Sequence, residues 1–266
     1  MFSKASRRKL KRAIQENLFN LVFMPIYHCQ SEQITGCEVL IRCKSHDLQD
    51  TRPDVFIPIA EQYDLIQDID LWVIETTLQT ISRVEHSLQS QLPTFNVNIS
   101  ATELHNKQFP KMLLNLLKKY HVRPSALILE ITETSLVEVG ETSITILYEL
   151  KKTGVSIALD DFGTGYTAFS QLTRYPVDCL KIDKSFIDSL SQDSDTPKTT
   201  INAILSIARS YKLETVAEGV ESFDQLSYLR EHGCDKVQGF YFSQPLAWDT
   251  FLAELKKSNG RINAQQ

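Results

Sequence analysis

Two hydrophobic periodicities alternate along this chain. Short apolar runs of strand length are separated by segments in which apolar residues recur every three or four positions, as in amphipathic helices. The predicted strands cover residues 21–29, 36–43, 94–100, 126–132, 155–161, 178–183, 214–220 and 236–242. The predicted helices cover residues 4–18, 55–63, 67–88, 109–120, 142–153, 197–211, 223–231 and 248–257, with a short helix near 166–173.

Eight strand candidates in a mostly strand-then-helix order favour a parallel sheet, either closed into an α/β barrel or open and doubly wound. The 266 residues, 42% of them apolar, are enough for one large core, and α/β barrels often contain about 250 residues. No internal repeat is visible. We therefore expect a single domain over residues 1–266, in which residues 1–18 form a basic N-terminal helix or the end of a linker.

Most of the predicted strands carry polar residues, although strands buried on both faces of a parallel sheet are usually apolar. Side chains alternate along a strand, so Glu38 shares a face with Arg42, and Asn96 shares a face with Asn98. The polar positions of the other strands are Glu130, Asp160, Asp161, Lys181, Asp183, Glu218 and Gln238. Any one of them is explained by a buried group paired with a neighbour, but seven strands with this feature indicate a shared site.

The segment ALDDFGTGYTAF, residues 158–169, shows this chemistry most clearly. Asp160 and Asp161 end an apolar run and are followed by a glycine turn, which places two carboxylates at the carboxyl edge of the sheet, where α/β proteins bind their ligands. Carboxylates this close repel each other unless one is protonated or both face a cation. Lys181 and Arg42 cannot compensate five carboxylates at one barrel mouth, so we expect divalent cations there. All-oxygen ligands favour Mg²⁺ or Mn²⁺ over zinc, and two such ions suit an in-line attack on a phosphodiester.

The net charge of −5 hides an asymmetry. Six basic residues lie within the first twelve, and the remainder carries 22 basic and 33 acidic side chains, a net charge of −11. Such an acidic body is unsuited to binding a polynucleotide. Five scattered cysteines without a C-x-x-C pair are typical of a reduced, cytoplasmic protein. No apolar run approaches the length of a membrane span, and no signal-peptide pattern opens the chain.

These motifs resemble the EAL-domain phosphodiesterases, a bacterial family that hydrolyses cyclic di-GMP to linear pGpG. The family's name motif corresponds to EVLIR at 38–42, and FIPIAE at 56–61 matches a further segment. The remaining blocks follow in the family's order: NVNIS (96–100), LEITET (129–134), DDFGTGY (160–166), LKIDKSFI (180–187), VAEGVES (216–222) and QGFYFSQPL (238–246). The resemblance covers nearly the whole chain and implies the family's modified TIM (β/α)8 barrel.

The resemblance also implies roles for individual residues. The implied ligands of two Mg²⁺ or Mn²⁺ ions are Glu38, Asn98, Glu130, Asp160, Asp161 and Glu218. The implied catalytic residues are Lys181, which would orient or deprotonate the attacking water, together with Glu38 and Glu221. The implied substrate-binding residues are Arg42, Gln238 and Asp183. Glu133 would anchor the loop after Asp161, a loop that in this family also lies at a dimer interface.

Three positions depart from the family pattern: Val39 stands for an alanine, Met24 for a glutamine, and Asp64 for a glycine. None removes an implied metal ligand, so we expect an active enzyme. The alternative is a catalytically weak domain that acts as a cyclic di-GMP receptor or as a protein-interaction module. The expected partners are cyclic di-GMP, a second copy of the chain, and a sensory or GGDEF domain of a longer protein, either cytoplasmic or attached to a membrane.

Overall fold

A computed structural model describes residues 4–44, 53–88, 92–139, 141–164, 172, 174–190 and 195–260. Within them, eight strands close into a barrel in which each strand lies beside its neighbours in the sequence and the last pairs with the first. The strands are β1 (Phe19–His28), β2 (Ile34–Cys43), β3 (Thr94–Asn98), β4 (Leu127–Thr132), β5 (Ser156–Phe162), β6 (Cys179–Ile182), β7 (Glu214–Ala217) and β8 (Lys236–Val237). The predicted α/β barrel is therefore confirmed.

Helices surround this barrel in the order that the apolar periodicity predicts. They are α1 (Lys4–Gln15), α2 (Pro53–Gln62), α3 (Ile66–Leu88), α4 (Phe109–Lys119), α5 (Glu133–Val139), α6 (Glu141–Thr153), α7 (Lys184–Ser189), α8 (Asp195–Tyr211), α9 (Phe223–Glu231) and α10 (Trp248–Gly260). The sequence did not predict α5, α7 or the 3₁₀ turns at Ala101–His105 and Pro124–Ala126. The short helix predicted near 166–173 lies almost entirely outside the described residues. None of the described helices has the length and apolarity needed to span a membrane.

The direction of β1 distinguishes this barrel from a fully parallel one. Strands β2 to β8 run parallel to one another, whereas β1 is antiparallel to both β2 and β8. The β1–β2 connection is too short for the crossover of a dozen or more residues that a parallel pair requires, so the two strands form a hairpin. The expectation of a parallel sheet was wrong for this strand.

The last two strands are shorter than predicted because the chain turns at the barrel mouth. Gly219 has a φ of 70°, a left-handed conformation that disfavours other residues. Gly239 lies so close to Val220 that a Cβ there would approach the Val220 carbonyl oxygen to 2.1 Å. These two glycines end the regular pairing and direct the following segments across the carboxyl end of the barrel.

The barrel interior contains two kinds of layer. A small apolar cluster lies inside the barrel, separate from the main core between sheet and helices, and consists of Ile26, Ile128, Ala158, Cys179 and Val216. Two residues further toward the carboxyl end, the inward positions are Glu130 on β4, Asp160 on β5, Lys181 on β6 and Glu218 directly after β7. The alternation predicted from the sequence thus directs the polar residues to one end of the interior.

Candidate active site

Lys181 is the centre of the charged layer. Its side chain is completely buried, and Nζ lies 2.8 Å from Glu130 Oε2, 3.1 Å from Asp160 Oδ2 and 2.7 Å from Glu218 Oε1. A fourth carboxylate oxygen, Glu38 Oε2, lies 3.8 Å away. Strands β2, β4, β5 and β6, together with the residue just after β7, contribute these groups, so the cluster exists only in the closed barrel.

Two amide side chains extend the cluster around Glu38. Asn98 Nδ2 donates to Glu38 Oε1 at 3.0 Å, and Gln238 Nε2 donates to Glu38 Oε2 at 2.8 Å. Gln238 Nε2 also lies 2.9 Å from Glu218 Oε1. Every carboxylate oxygen of Glu38 therefore has a donor, and Gln238 bridges two carboxylates from opposite sides of the β8 strand end.

Asp161 joins the site through an irregularity in β5. Strict alternation would direct Asp160 and Asp161 to opposite faces of the strand. The pairing of β5 with β6 instead shifts register between Leu159 and Phe162, and Asp161 has a left-handed φ of 55°. As a result, ligand oxygens of Asp160, Asp161 and Glu218 all lie within 4.8 Å of one another.

One ammonium cannot balance this many buried carboxylates, and the pKa values reflect the imbalance. Burial opposes the charge of Lys181, but the four surrounding carboxylates together raise its pKa well above the ordinary value. Burial raises the pKa of Glu130 to about 8 and that of Glu218 well above its usual range, although Lys181 opposes both shifts. Burial and the adjacent Asp160 raise the pKa of Asp161 to about 6.

The pKa of Glu38 shifts in the direction opposite to those of Glu130 and Glu218. Burial would raise its pKa, but Lys181 and the donors on Gln238 and Asn98 outweigh burial and lower it. The charged form of Glu38 is therefore favoured, in contrast to those of Glu130 and Glu218.

The residues present fit divalent cations. The donor set consists of carboxylate and amide oxygens, which are ligands of hard cations such as Mg²⁺ and Mn²⁺. Three carboxylates converge within ligand distance of one another, and the buried oxygen Gln238 Oε1 has no hydrogen-bond partner among the described residues. The implied ligands Glu38, Asn98, Glu130, Asp160, Asp161 and Glu218 all lie at this end of the barrel.

A cleft of about 320 Å³ opens above Glu38, Glu218 and Gln238. Its walls are formed by Met24, Leu40, Arg42, Lys184, Gly219, Glu221, Gly239, Phe240 and Pro245. Arg42 is half-buried, donates to its neighbour's carbonyl Ile41 O at 2.9 Å, and interacts electrostatically with Glu38. The ring of Phe240 is exposed at the rim. The cleft therefore combines the guanidinium of Arg42, the aromatic face of Phe240 and, at its base, the carboxylates of Glu38 and Glu218.

Two of the predicted residues lie apart from the central cluster. The carboxylate of Glu221 forms an ion pair with Lys184 on the rim of the cleft, so the structure does not bring it to the converging carboxylates. Asp183 caps α7, where Oδ1 accepts from the Ser185 backbone N–H at 3.1 Å. It is nevertheless close enough to Asp161 to contribute to that residue's raised pKa.

Glu133 lies where an anchor for the loop after Asp161 must be. Its side chain is buried at the start of α5, and Oε2 accepts from the Gly163 backbone N–H at 2.9 Å. Gly163 itself has a φ of 95°. The predicted contact with the beginning of the loop is therefore present; residues 165–171 lie outside the description.

The structure also adds residues that the sequence reasoning did not assign to the site. Asn96 Nδ2 donates to Glu130 Oε1 at 2.8 Å. The buried Asp70 of α3 accepts from the Ser100 backbone N–H and hydroxyl at 3.1 and 2.5 Å, which ties the segment after Asn98 to the helix, and burial raises the pKa of Asp70 to about 7. Asn96 lies on the same strand face as Asn98, and this alternation could have assigned it to the site from the sequence. No sequence feature of Asp70 indicated its contact with Ser100.

Comparisons with known proteins identify the family of the chain. The family model of the EAL domain matches residues 7–245. The chain is 34% identical over 253 residues to the probable cyclic di-GMP phosphodiesterase PdeN of Escherichia coli, covering 94% of this chain and 48% of PdeN. It is 33% identical over 257 residues to the biofilm architecture maintenance protein MbaA of Vibrio cholerae, covering 95% of this chain and 32% of MbaA.

A solved structure, the PaMucR phosphodiesterase in its c-di-GMP complex, superposes with a TM-score of 0.87 at 31% identity. The match covers 92% of this chain and 99% of that one. This chain therefore spans half or less of the length of the two curated relatives, but nearly the whole of the compared phosphodiesterase structure.

Proposed function

This chain belongs to the EAL domain family, and we propose that it is a metal-dependent phosphodiesterase that hydrolyses cyclic di-GMP to linear pGpG. The observation that carries the proposal is the buried Lys181 surrounded by four carboxylates beneath an open cleft. Burying ionised groups costs several kcal/mol for each ion, and well-packed apolar residues are often more stable in such places. An excess of buried negative charge therefore supports a cation-binding catalytic site over a structural network.

The proposed ligands of two Mg²⁺ or Mn²⁺ ions are Glu38, Asn98, Glu130, Asp160, Asp161 and Glu218. Divalent ions held there would neutralise the phosphodiester and lower the pKa of a water near it. Ligand oxygens of Asp160, Asp161 and Glu218 lie within 4.8 Å of one another, which supports a shared role for these three carboxylates in holding an ion. Positive charge at this floor also explains how an acidic protein accepts an anionic substrate.

Lys181 is proposed to orient the attacking water and the carboxylates around it. In the metal-free protein the four carboxylates keep it protonated, so it acts as a donor and not as a base in that state. Its role therefore belongs to placing charge where the transition state needs it. Gln238 supports this arrangement by holding Glu38 and Glu218, and Glu221 would have to leave Lys184 to take part.

The substrate is proposed to lie in the cleft above these groups. Arg42 would hold a phosphate, since a guanidinium matches phosphate oxygens bidentately. Gln238 lines this cleft, and the exposed ring of Phe240 offers an apolar surface to a guanine base. Asp183, at the start of α7, is proposed to contact the substrate from outside the central cluster.

We further propose that the domain works in the cytoplasm, as a homodimer, and within a longer protein that carries a sensory or GGDEF domain. The length of the relatives supports the last point, because the chain covers only 32% of MbaA and 48% of PdeN.

The test is incubation of the purified chain with cyclic di-GMP and Mg²⁺ or Mn²⁺, with chromatographic separation of the products. The parent should yield pGpG, and Asp160→Asn should yield none while binding Mn²⁺ more weakly. Tight binding of cyclic di-GMP without turnover in any divalent ion would replace the enzyme with the receptor. Unchanged hydrolysis by Asp160→Asn would reject the metal site described here.

A further inference from the structure

Asn96 occupies a place in the barrel interior where an apolar side chain is expected. It is 2% exposed and pairs across β3 and β4 with Ile128, a member of the apolar cluster beneath the charged layer. Strand positions of this kind usually carry valine or isoleucine. An asparagine there needs a specific partner, because burying an unpaired amide is unfavourable.

The partner of Asn96 is one oxygen of Glu130. Asn96 Nδ2 donates to Glu130 Oε1 at 2.8 Å, and Lys181 Nζ lies 2.8 Å from Glu130 Oε2. The carboxylate of Glu130 is thus held at both oxygens, from the layer beneath and from the side. The Asn96 carbonyl oxygen Oδ1, by contrast, is buried and has no hydrogen-bond partner among the described residues.

The amide N–H of Asn96 is paired and its carbonyl oxygen is not, and this difference indicates the role of the side chain. A buried acceptor without a partner is a cost to the folded state, so the fold alone does not favour asparagine over an apolar residue of the same shape. The favourable end of the side chain is the amide N–H group, and the group that it contacts is a proposed metal ligand. The advantage of asparagine therefore lies in what it does to Glu130.

We propose that Asn96 is a positioning residue for the metal site, and that its amide fixes the orientation of the Glu130 carboxylate from beneath. This inference rests on the proposed function. Lys181 alone would leave the Glu130 carboxylate free to rotate about its terminal bond, whereas two donors on different oxygens set the plane of the group. Groups that hydrogen-bond to ligating carboxylates typically change metal affinity by about 10–100-fold when mutated.

The experiment measures Mn²⁺ binding to the metal-free protein by titration calorimetry, so that no turnover is needed. Asn96→Leu keeps the approximate shape and removes the donor, and Asn96→Val matches the residues of the apolar layer. Both should bind Mn²⁺ roughly 10–100-fold more weakly than the parent. Ile128→Val is the matched control, since it alters the same layer without touching Glu130, and its affinity should equal that of the parent.

A second arm shows whether Asn96 acts through Glu130. In a Glu130→Ala background, Asn96→Leu should cause little further loss, because the carboxylate that it positions is already gone. Thermal denaturation of each variant identifies any that is unfolded. If Asn96→Leu does not fold, the Mn²⁺ affinity of Asn96→Val tests the inference in its place.

Three outcomes contradict the inference in distinguishable ways. Affinities of both Asn96 variants within twofold of the parent would overturn the positioning role and leave the proposed function intact. A full additional loss in the Glu130→Ala background would show that Asn96 does not act through that residue. If the parent itself bound no Mn²⁺, the proposed metal site would fail, and the positioning role with it.

Discussion

The two ends of the barrel use the same kinds of charged side chain in opposite ways. At the amino end of the parallel strands, Asp178 accepts from Lys151 Nζ at 2.7 Å and from the Ile157 backbone N–H at 2.8 Å. Nearby, Lys236 Nζ lies 2.9 Å from Glu214 Oε2. Each of these two carboxylates has its own cation, and both pairs are partly exposed to water.

At the carboxyl end the balance is different. Lys181 is shared by four carboxylates, its side chain is completely buried, and Asp161 adds a further negative charge. One-to-one pairing at the amino end serves folding, because it leaves little uncompensated charge. The excess of buried carboxylates at the carboxyl end opposes folding. These residues are therefore explained by function and not by stability.

The largest expected effect comes from removing the shared cation. Lys181→Met should lower kcat by roughly 10²–10³, the usual range for removing one preorganised donor that stabilises charge in the transition state. Affinity for cyclic di-GMP, measured by calorimetry with Ca²⁺ or without metal, should stay within about tenfold because the loss belongs to the transition state. Hydrolysis at the parent's rate would show that the mechanism proposed for Lys181 is wrong.

Lys151→Met is the matched control at the amino end. It removes a cation of the same type from a partly exposed pair, so the free energy of unfolding should fall by less than about 1 kcal/mol. Turnover by this variant should equal that of the parent. A large loss of activity would mean that the two ends are not functionally separate.

A smaller effect is expected at the contact between Glu133 and Gly163. Glu133→Ala should reduce activity roughly tenfold, because the segment after Asp161 would lose the bond that positions it. Hydrogen exchange at the Gly163 amide should become faster, while amides of the barrel strands stay protected. Glu133→Gln keeps an acceptor oxygen and should restore most of both properties; unchanged exchange at Gly163 in the alanine variant would reject the anchor.

The charge excess should also appear as a pH dependence of stability. The pKa values of Asp161, about 6, and Glu130, about 8, are raised chiefly by burial, and both exceed the unfolded-state values of about 4. The folded state then binds more protons in this window, so the metal-free protein should lose stability as the pH rises from about 4 to about 8.

Asp161→Asn isolates one part of this dependence. It should reduce the loss between about pH 4 and pH 6 by about 1 kcal/mol, a value that allows for solvent screening of a partly exposed group. Urea denaturation at a series of pH values measures the change. A parent whose stability is flat or rises over this range would contradict the picture of an overcharged carboxyl end.

The smallest expected effect concerns the wall of the cleft. Met24 pairs with Glu38 across β1 and β2 and lines the cleft beside it, but a thioether is a weak acceptor and no donor. Met24→Gln should lower KM roughly threefold, as expected for one added hydrogen bond, with kcat nearly unchanged. Met24→Leu adds no polar group and should leave KM as it is. An unchanged or higher KM in the glutamine variant would place Met24 outside the substrate contacts.

Much of this architecture follows from the sequence. The eight strand candidates are the eight strands of the barrel, because apolar runs and their spacing are local properties of the chain. Alternation also placed the side chains correctly on the inner face at Glu38, Asn98, Glu130 and Lys181. Since a strand has a period of two residues, its inward side chains can be read without knowing its neighbours.

The antiparallel direction of β1 could have been predicted from the sequence but was not. Its connection to β2 is too short for a parallel crossover, and that length is visible in the sequence. The short helices α5 and α7 gave a weaker signal, because segments of seven and six residues show too little periodicity to be recognised.

Only the tertiary structure decided the rest. Asp161 reaches the site because the pairing of β5 with β6 shifts register and its backbone turns left-handed. Glu221 stays on the rim because α7 places Lys184 beside it, and Asn96 meets Glu130 because β3 and β4 pair with Asn98 opposite Glu130. Alternation is set by the geometry of each strand, whereas register, bulges and partner choice depend on groups distant in sequence that meet only when the barrel closes.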